Sequence, residues 1–254
     1  MALFTDGPVS SIEDLTAQDS QLPNVANVEG IDVTQKLALA QDQLALELTT
    51  LLDRMTFVNQ WSWLAPPPSL RTVVVTRALK LWHTFRALEL VYADAFASQL
   101  NDRYAARRDQ FHEQAKQACD QLAAAGIGIA WTPVPRAAAP LVVAAAGGLP
   151  DNTYYVTMTW TNSTNEEGAP AVTSAITTSQ STLLVEPVAP PTAATGWNVY
   201  VGTDPDGLEL QNGSPIAVGQ TWLQPGTVTT GGRGPGRGQS PSCLRPAPRV
   251  IQRG

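Results

Sequence analysis

The stretch from Ser69 to Ala125 contains neither proline nor glycine, and Pro66-Pro67-Pro68 and Gly126 fence it on either side. A run of that length without a breaker belongs to long helices; as a single rod it would extend roughly 80 Å at about 1.5 Å per residue. Ser69 is placed to cap its start. Trp82, Phe85, Tyr92 and Phe96 anchor its first half, and Leu81, Phe85, Leu88 and Tyr92 share one stripe at helical spacing. Leu100, Tyr104, Phe111, Ala115 and Leu122 continue the stripe after a change of phase near Asn101-Asp102, the poorest helix formers of the run. A break or kink is therefore expected there. Gly126 supplies a left-handed stop.

The chain before this stretch is also helical in pattern. Ser10 or Ser11, followed by Glu13 and Asp14, marks the start of a short helix reaching about Ser20, with Pro23 as its stop and a loop beyond. Asp32 caps a second helix from Val33 to about Met55, whose Leu37, Leu44, Leu48, Leu51 and Met55 hold one face. Trp61 and Trp63 follow it, just ahead of the prolines, and are expected to plug the end of a bundle.

Beyond Gly126 the pattern changes. Residues 126–150, rich in Pro, Gly and Ala, read as a linker, with Leu141 to Ala146 able to serve as an edge strand of the domain after it. From Asp151 the apolar period drops to two: Tyr154, Val156, Met158 and Trp160 alternate with Tyr155, Thr157, Thr159 and Thr161, the mark of a half-buried antiparallel strand. Further strands are expected over 171–178, 182–188, 197–203, 208–211 and 216–222, with Asp204-Pro205-Asp206-Gly207 as a turn. The fold class is thus α+β in two segregated domains. A helical bundle with long helices (1–125) is followed by the linker (126–150), a small immunoglobulin-like or fibronectin III-like β-sandwich (151–230) and a flexible basic tail (231–254).

Charge is unevenly spread. The net charge is −6, yet from Gly231 onward there are five arginines and no acid, so the rest carries about −11. Such a tail, disordered until bound, reaches for something acidic. Arg233, Arg237, Arg245, Arg249 and Arg253 either bind nucleic acid weakly, as RGG-like segments do, or form an arm across a neighbouring subunit, and the arm is the favoured reading. With 43% hydrophobic residues the chain is too apolar for wholesale disorder. It has no run long enough to span a membrane, no basic leader, and only Cys119 and Cys243, which build no disulfide framework.

The residues that carry chemistry are sparse. His83 and His112 stand apart from each other and from any cysteine, so no metal or cofactor is expected. No nucleophile elbow or phosphate loop is present. Glu166-Glu167 could be imagined as an acid–base pair, but adjacent acids in a Ser/Thr/Asn-rich loop read first as a solvated turn. The expectation is a protein that is not an enzyme.

Three stretches in order carry a family resemblance: Val28-Glu29-Gly30-Ile31-Asp32-Val33-Thr34-Gln35-Lys36-Leu37-Ala38-Leu39-Ala40-Gln41, then Leu79-Lys80-Leu81-Trp82-His83-Thr84-Phe85-Arg86-Ala87-Leu88-Glu89-Leu90-Val91-Tyr92, then Gln99-Leu100-Asn101-Asp102-Arg103-Tyr104. Together they resemble the head-to-tail adaptor (connector) proteins of tailed bacteriophages, in particular a group with an immunoglobulin-like domain behind the helices. The resemblance covers roughly residues 9–125, with weaker support over 150–225. It implies a structural virion protein of the neck, in a homo-oligomeric ring of twelve that docks beneath the portal and extends the DNA channel. Its implied partners are the portal, tail or other neck proteins, and genomic DNA passing through without sequence-specific binding; no membrane is involved. The family has no catalytic residues to carry over.

Within that frame Asn101, Asp102, Arg103, Arg107 and Arg108, clustered just past the expected break, are the candidate subunit or portal contacts. The competing reading is a minor capsid or tail decoration protein whose immunoglobulin-like domain binds a host surface glycan. A cell-wall hydrolase ranks third.

Overall fold

A computed structural model describes residues 2–58, 67–99, 102–236 and 238–245. The chain has an α+β fold in two compact units, one formed by Gly7–Trp131 with Pro241–Gly254, the other by Met1–Asp6 with Thr132–Ser240. The unit boundaries thus fall elsewhere than at 125, 150 and 230, because each unit includes chain from both ends of the sequence. Trp61, Trp63 and Pro66 lie outside the described residues.

Among the described residues the first unit contains five α-helices. α1 (Ile12–Gln18) starts at the expected Ser11, whose hydroxyl accepts from the Asp14 amide while the Asp14 carboxylate accepts from the Ser11 amide, a complete capping box. α2 (Leu22–Glu29) occupies the segment read as a loop. Pro23 sits in its first turn, where a missing N–H costs nothing, and Gly30 ends it at φ 66°. The proline therefore begins a helix here instead of only ending one.

α3 (Val33–Val58) opens on Asp32, whose side chain accepts from the amides of Thr34 and Gln35. It buries Leu37, Ala40, Leu44, Leu48 and Leu52; Leu52 takes the place assigned to Leu51, and the Met55 side chain lies outside the described residues.

The long stretch divides as its phase change implies, into α4 (Arg77–Gln99) and α5 (Asp102–Ala125), with Leu100 and Asn101 themselves outside the described residues. Its start lies later than Ser69. Ser69 instead opens a single 3₁₀ turn (Leu70–Thr72), and Val73 pairs in extended form with Ile129. The β-branched run Val73-Val74-Val75-Thr76 explains the delay, since such side chains favour extended backbone. α4 is the hub: it packs on α1, α2, α3 and α5. Ala87, Leu88, Val91, Tyr92 and Ala95 belong to one buried cluster with Leu15, Val25, Leu37 and Phe111. A helix enclosed by four others has apolar residues most of the way round. After Gly126, β1 (Ile127–Ile129) pairs antiparallel with β10 (Ser242–Leu244).

The second unit is a two-sheet antiparallel sandwich. β2 (Leu141–Ala146), β5 (Ser181–Glu186) and β9 (Trp222–Leu223) form one sheet in the order β2-β5-β9. β3 (Asn152–Thr161), β4 (Ser174–Thr178), β6 (Gly196–Gly202) and β7 (Glu209–Leu210) form the other in the order β4-β3-β6-β7, and β8 (Ile216–Ala217) pairs with β6. The edge strand expected over 141–146 is β2. Between the sheets, Val156, Met158 and Trp160 stand directly opposite Val201, Val199 and Trp197, and Leu183 and Val185 of β5 close over them.

β3 departs from the half-buried reading on its other face. Thr157 and Thr159 are 1% and 0% exposed, as are their β6 partners Tyr200 and Asn198 at 0% and 3%. That face is covered by the chain itself. The Thr157 hydroxyl donates to the Ala171 carbonyl, and Glu167 and Arg233 lie over Asn198 and Tyr200.

Candidate functional site

The aromatic stripe of the long stretch forms a stack between α4 and α5. Tyr92 lies 5.5 Å from Phe111 and 6.2 Å from Tyr104 between ring centroids, and Phe85 lies 6.5 Å from Phe111. Both tyrosine hydroxyls leave this core for carboxylates on the N-terminal helices. Tyr92 donates to Asp19 at 2.5 Å and Tyr104 to Glu29 at 2.9 Å; Ser98 also donates to Glu29. Burial, reinforced by the Asp19 charge, drives the Tyr92 hydroxyl well above its ordinary pKa, so it stays a donor.

Beside this stack α2, α4 and α5 enclose a recess of about 270 Å³. Gln21, Asn24, Val25 and Val28 line one side; Tyr92, Tyr104, Arg103 and Arg107 line the other. Arg103 and Arg107 are one helical turn apart, so both project to the same side of α5. Arg103 lies 4.7 Å over the Tyr104 ring and donates to its hydroxyl. Arg107 is half-buried and donates to the amide oxygen of Gln110 at 3.2 Å. The recess thus presents the Arg103 and Arg107 guanidinium groups and the Gln21 and Asn24 amides beside an exposed Val28, while its two tyrosine hydroxyls are already given to the carboxylates of Asp19 and Glu29.

Of the sequence-derived contact residues, the fold brings Arg103 and Arg107 together here. Arg108 points elsewhere, 5.0 Å over Phe96 and paired with Asp109 at 2.7 Å. Asp102 is exposed in the first turn of α5, and Asn101 lies outside the described residues.

The tail arginines are divided. Arg233 is engaged within the sandwich, donating to both oxygens of Glu167 at 2.8 and 2.7 Å. Arg245 is exposed; Arg237, Arg249 and Arg253 lie outside the described residues. The flexible arm expected from Gly231 is, over 231–236 and 238–245, chain with fixed partners: Gly232 donates to Glu209, the Leu210 amide to the Arg233 carbonyl, and Gln239 exchanges hydrogen bonds with the Val134 backbone.

Glu167 is the polar group that sequence reasoning missed. Read as part of a solvated turn, it is 1% exposed, because the bridge of Thr161 with Glu167 folds the loop back onto the sheet. It accepts from Tyr200 at 2.6 Å and from Asn198, as well as from Arg233. The legible signal was Asn198 and Tyr200, two polar side chains two apart on one strand face, which require a polar partner if buried.

The two histidines differ in placement. His83 is fully buried, its Nε2 against the Leu37 carbonyl at 3.1 Å, and burial lowers its pKa. His112 pairs with Glu89 at 2.9 Å, and Glu89 also takes Arg86. A second recess of about 200 Å³ lies beside them, lined also by Glu47 and Cys119. Burial pushes the Cys119 thiol up to about 11, which makes it a poor nucleophile. Among the described residues no three His, Cys, Asp or Glu side chains gather as metal ligands, and no helix is long and apolar enough to cross a membrane.

No family model, no curated protein and no solved structure matches the chain.

Proposed function

We propose that this chain is a structural protein of a tailed-phage virion, a head-to-tail adaptor. Its helical unit would take its place in a homo-oligomeric ring of about twelve copies beneath the portal, lengthening the DNA channel. The observation that carries this reading is the Arg103–Arg107 recess where α5 packs against α4. Arg103 is held over Tyr104, half-buried Arg107 stands one turn on, and the amides of Gln21 and Asn24 and an exposed valine lie beside them, a mixed lining that suits a protein surface. The portal, the adjacent neck proteins and further copies of the chain are its partners, and DNA passes through without base-specific contacts. The sandwich is a separate module on the same chain, and this reading assigns no catalysis to either unit.

The test is the position of the protein in the intact particle. Electron microscopy of purified particles should place about a dozen copies between portal and tail. Finding the chain on the outer capsid or tail surface as a glycan-binding trimer would replace this reading with the decoration protein.

A further inference from the structure

We infer that the recess of Arg103 and Arg107 receives the outward face of α3 from a second copy of this chain. This rests on the ring reading and names its two contacting surfaces.

The first observation is an exposed stripe on α3. The helix buries Leu37, Leu44 and Leu48, and at about 100° per residue Leu39, Asp42 and Leu46 fall on the opposite side. A face opposite the buried one cannot be covered by the core that holds the helix. Leu46 is 73% exposed and Leu39 42%, with Asp42 exposed between them. Surface helices of a stable monomer normally carry polar residues there.

The second observation is that the recess carries complementary groups. Val28, 65% exposed, gives it an apolar rim, and Arg107 and Arg103 give it positive charge. An aspartate flanked by leucines one turn to either side matches a pair of arginines beside a valine, since a guanidinium takes a carboxylate through paired hydrogen bonds.

The third observation is that the two patches are unlike, α3 offering Asp42 between leucines and the recess offering Arg103 and Arg107 beside Val28. Two unlike, complementary patches allow a heterologous, head-to-tail contact, and such a contact closes into a ring when its rotation permits, whereas a reciprocal two-fold pairing would stop at the dimer. A two-fold dimer through either patch would set arginine against arginine or aspartate against aspartate, which is repulsive.

The test combines a trap with a charge exchange. In a Cys243→Ser chain, Val28→Cys and Leu46→Cys together should give, under mild oxidation, a disulfide ladder extending beyond the dimer on a non-reducing gel. Each cysteine alone should give none. Both positions are exposed, so circular dichroism should be unchanged, and Cys119 is too poorly ionised to compete. Arg107→Glu or Asp42→Arg alone should cut ladder yield and ring counts by about tenfold, and the two together should restore them.

Wild-type rings seen by microscopy, without a ladder and unaffected by the charge variants, would overturn this interface and leave the ring reading intact. Neither ladder nor ring, alone or on particles, would remove both. No ladder, with Arg107→Glu releasing duplex DNA in a gel shift, would reassign the arginines to phosphate and overturn the proposal.

Discussion

Glu167 and Arg233 show how a single residue fixes the order of a distant segment. A carboxylate buried to 1% exposure requires compensation, and Asn198, Tyr200 and the two guanidinium nitrogens of Arg233 supply it. Removing the cation leaves the charge in place. Arg233→Ala should therefore destabilise the sandwich by about 3 kcal/mol, and Arg233→Lys should recover little, because an ammonium cannot make the paired contact. Urea unfolding followed by tryptophan fluorescence reads this directly, since Trp160 and Trp197 lie in the sandwich core.

His83 makes a different kind of prediction. Its Nδ1 finds no partner among the described residues, and burial lowers its pKa below the ordinary 6.5, against the weaker opposing effect of the Leu37 carbonyl. Between the folded and unfolded values the unfolded chain binds the proton and the folded chain does not. Stability of the helical unit is therefore full above about pH 6.5 and falls as the pH drops below it. His83→Gln, which keeps a donor for Leu37, should flatten the slope of the urea midpoint between about pH 6.5 and 5. Asp14 enters only at lower pH. Burial opposes its charge, but Lys80 and the Ser11 contacts outweigh that and hold its carboxyl below the usual range, so its contribution is lost further down.

At the scale of elements, the helices were legible where a local signal stood alone. Ser11 with Asp14 and Asp32 with Thr34 and Gln35 are short-range devices, and each sits where the sequence places it. Ser11→Ala should lower stability by about 1 kcal/mol, visible as a fall in the thermal midpoint of the helical unit. The phase change at Asn101-Asp102 was readable for the same reason: a break of stripe is a property of the sequence itself. α2 was not readable, because Pro23 is compatible both with ending one helix and with opening another, and only packing of Leu22 and Val25 against α4 decides.

The candidate site was half legible. Charge clustering pointed to Arg103, Arg107 and Arg108, and helical spacing puts the first two on one side of α5, but which side becomes a recess depends on where α2 lies, and that helix had no distinct sequence signal. Gly126 tests another close approach. Its φ is 100°, and a Cβ there would meet the Leu244 backbone at 3.1 Å. Gly126→Ala should destabilise the β1–β10 pairing through both effects, by about 1–2 kcal/mol.

On the scale of the whole molecule, composition misleads about the C-terminal chain. Glycine, proline and arginine without periodicity look like a solvated tail, since they offer too little apolar surface to fold alone. Here the segment does not fold alone; it completes two structures already built. Residues up to Ser240 belong to the sandwich unit, where Arg233 neutralises Glu167 and Gln239 bonds the Val134 backbone. Residues from Pro241 belong to the helical unit, where β10 supplies the partner of β1. Two truncations separate these roles. Ending the chain at Ser240 removes β10 and keeps Arg233 and Gln239, and should lower the helical unit's melting transition by about 5 °C while leaving the sandwich transition in place. Ending it at Thr230 also strips Glu167 of its cation, and both transitions should fall, the sandwich by the larger amount. Calorimetry on the full chain and the two truncations checks the order. Two unchanged transitions in the shorter chain would show that the segment is an arm after all, and that the burial of Glu167 is satisfied without it.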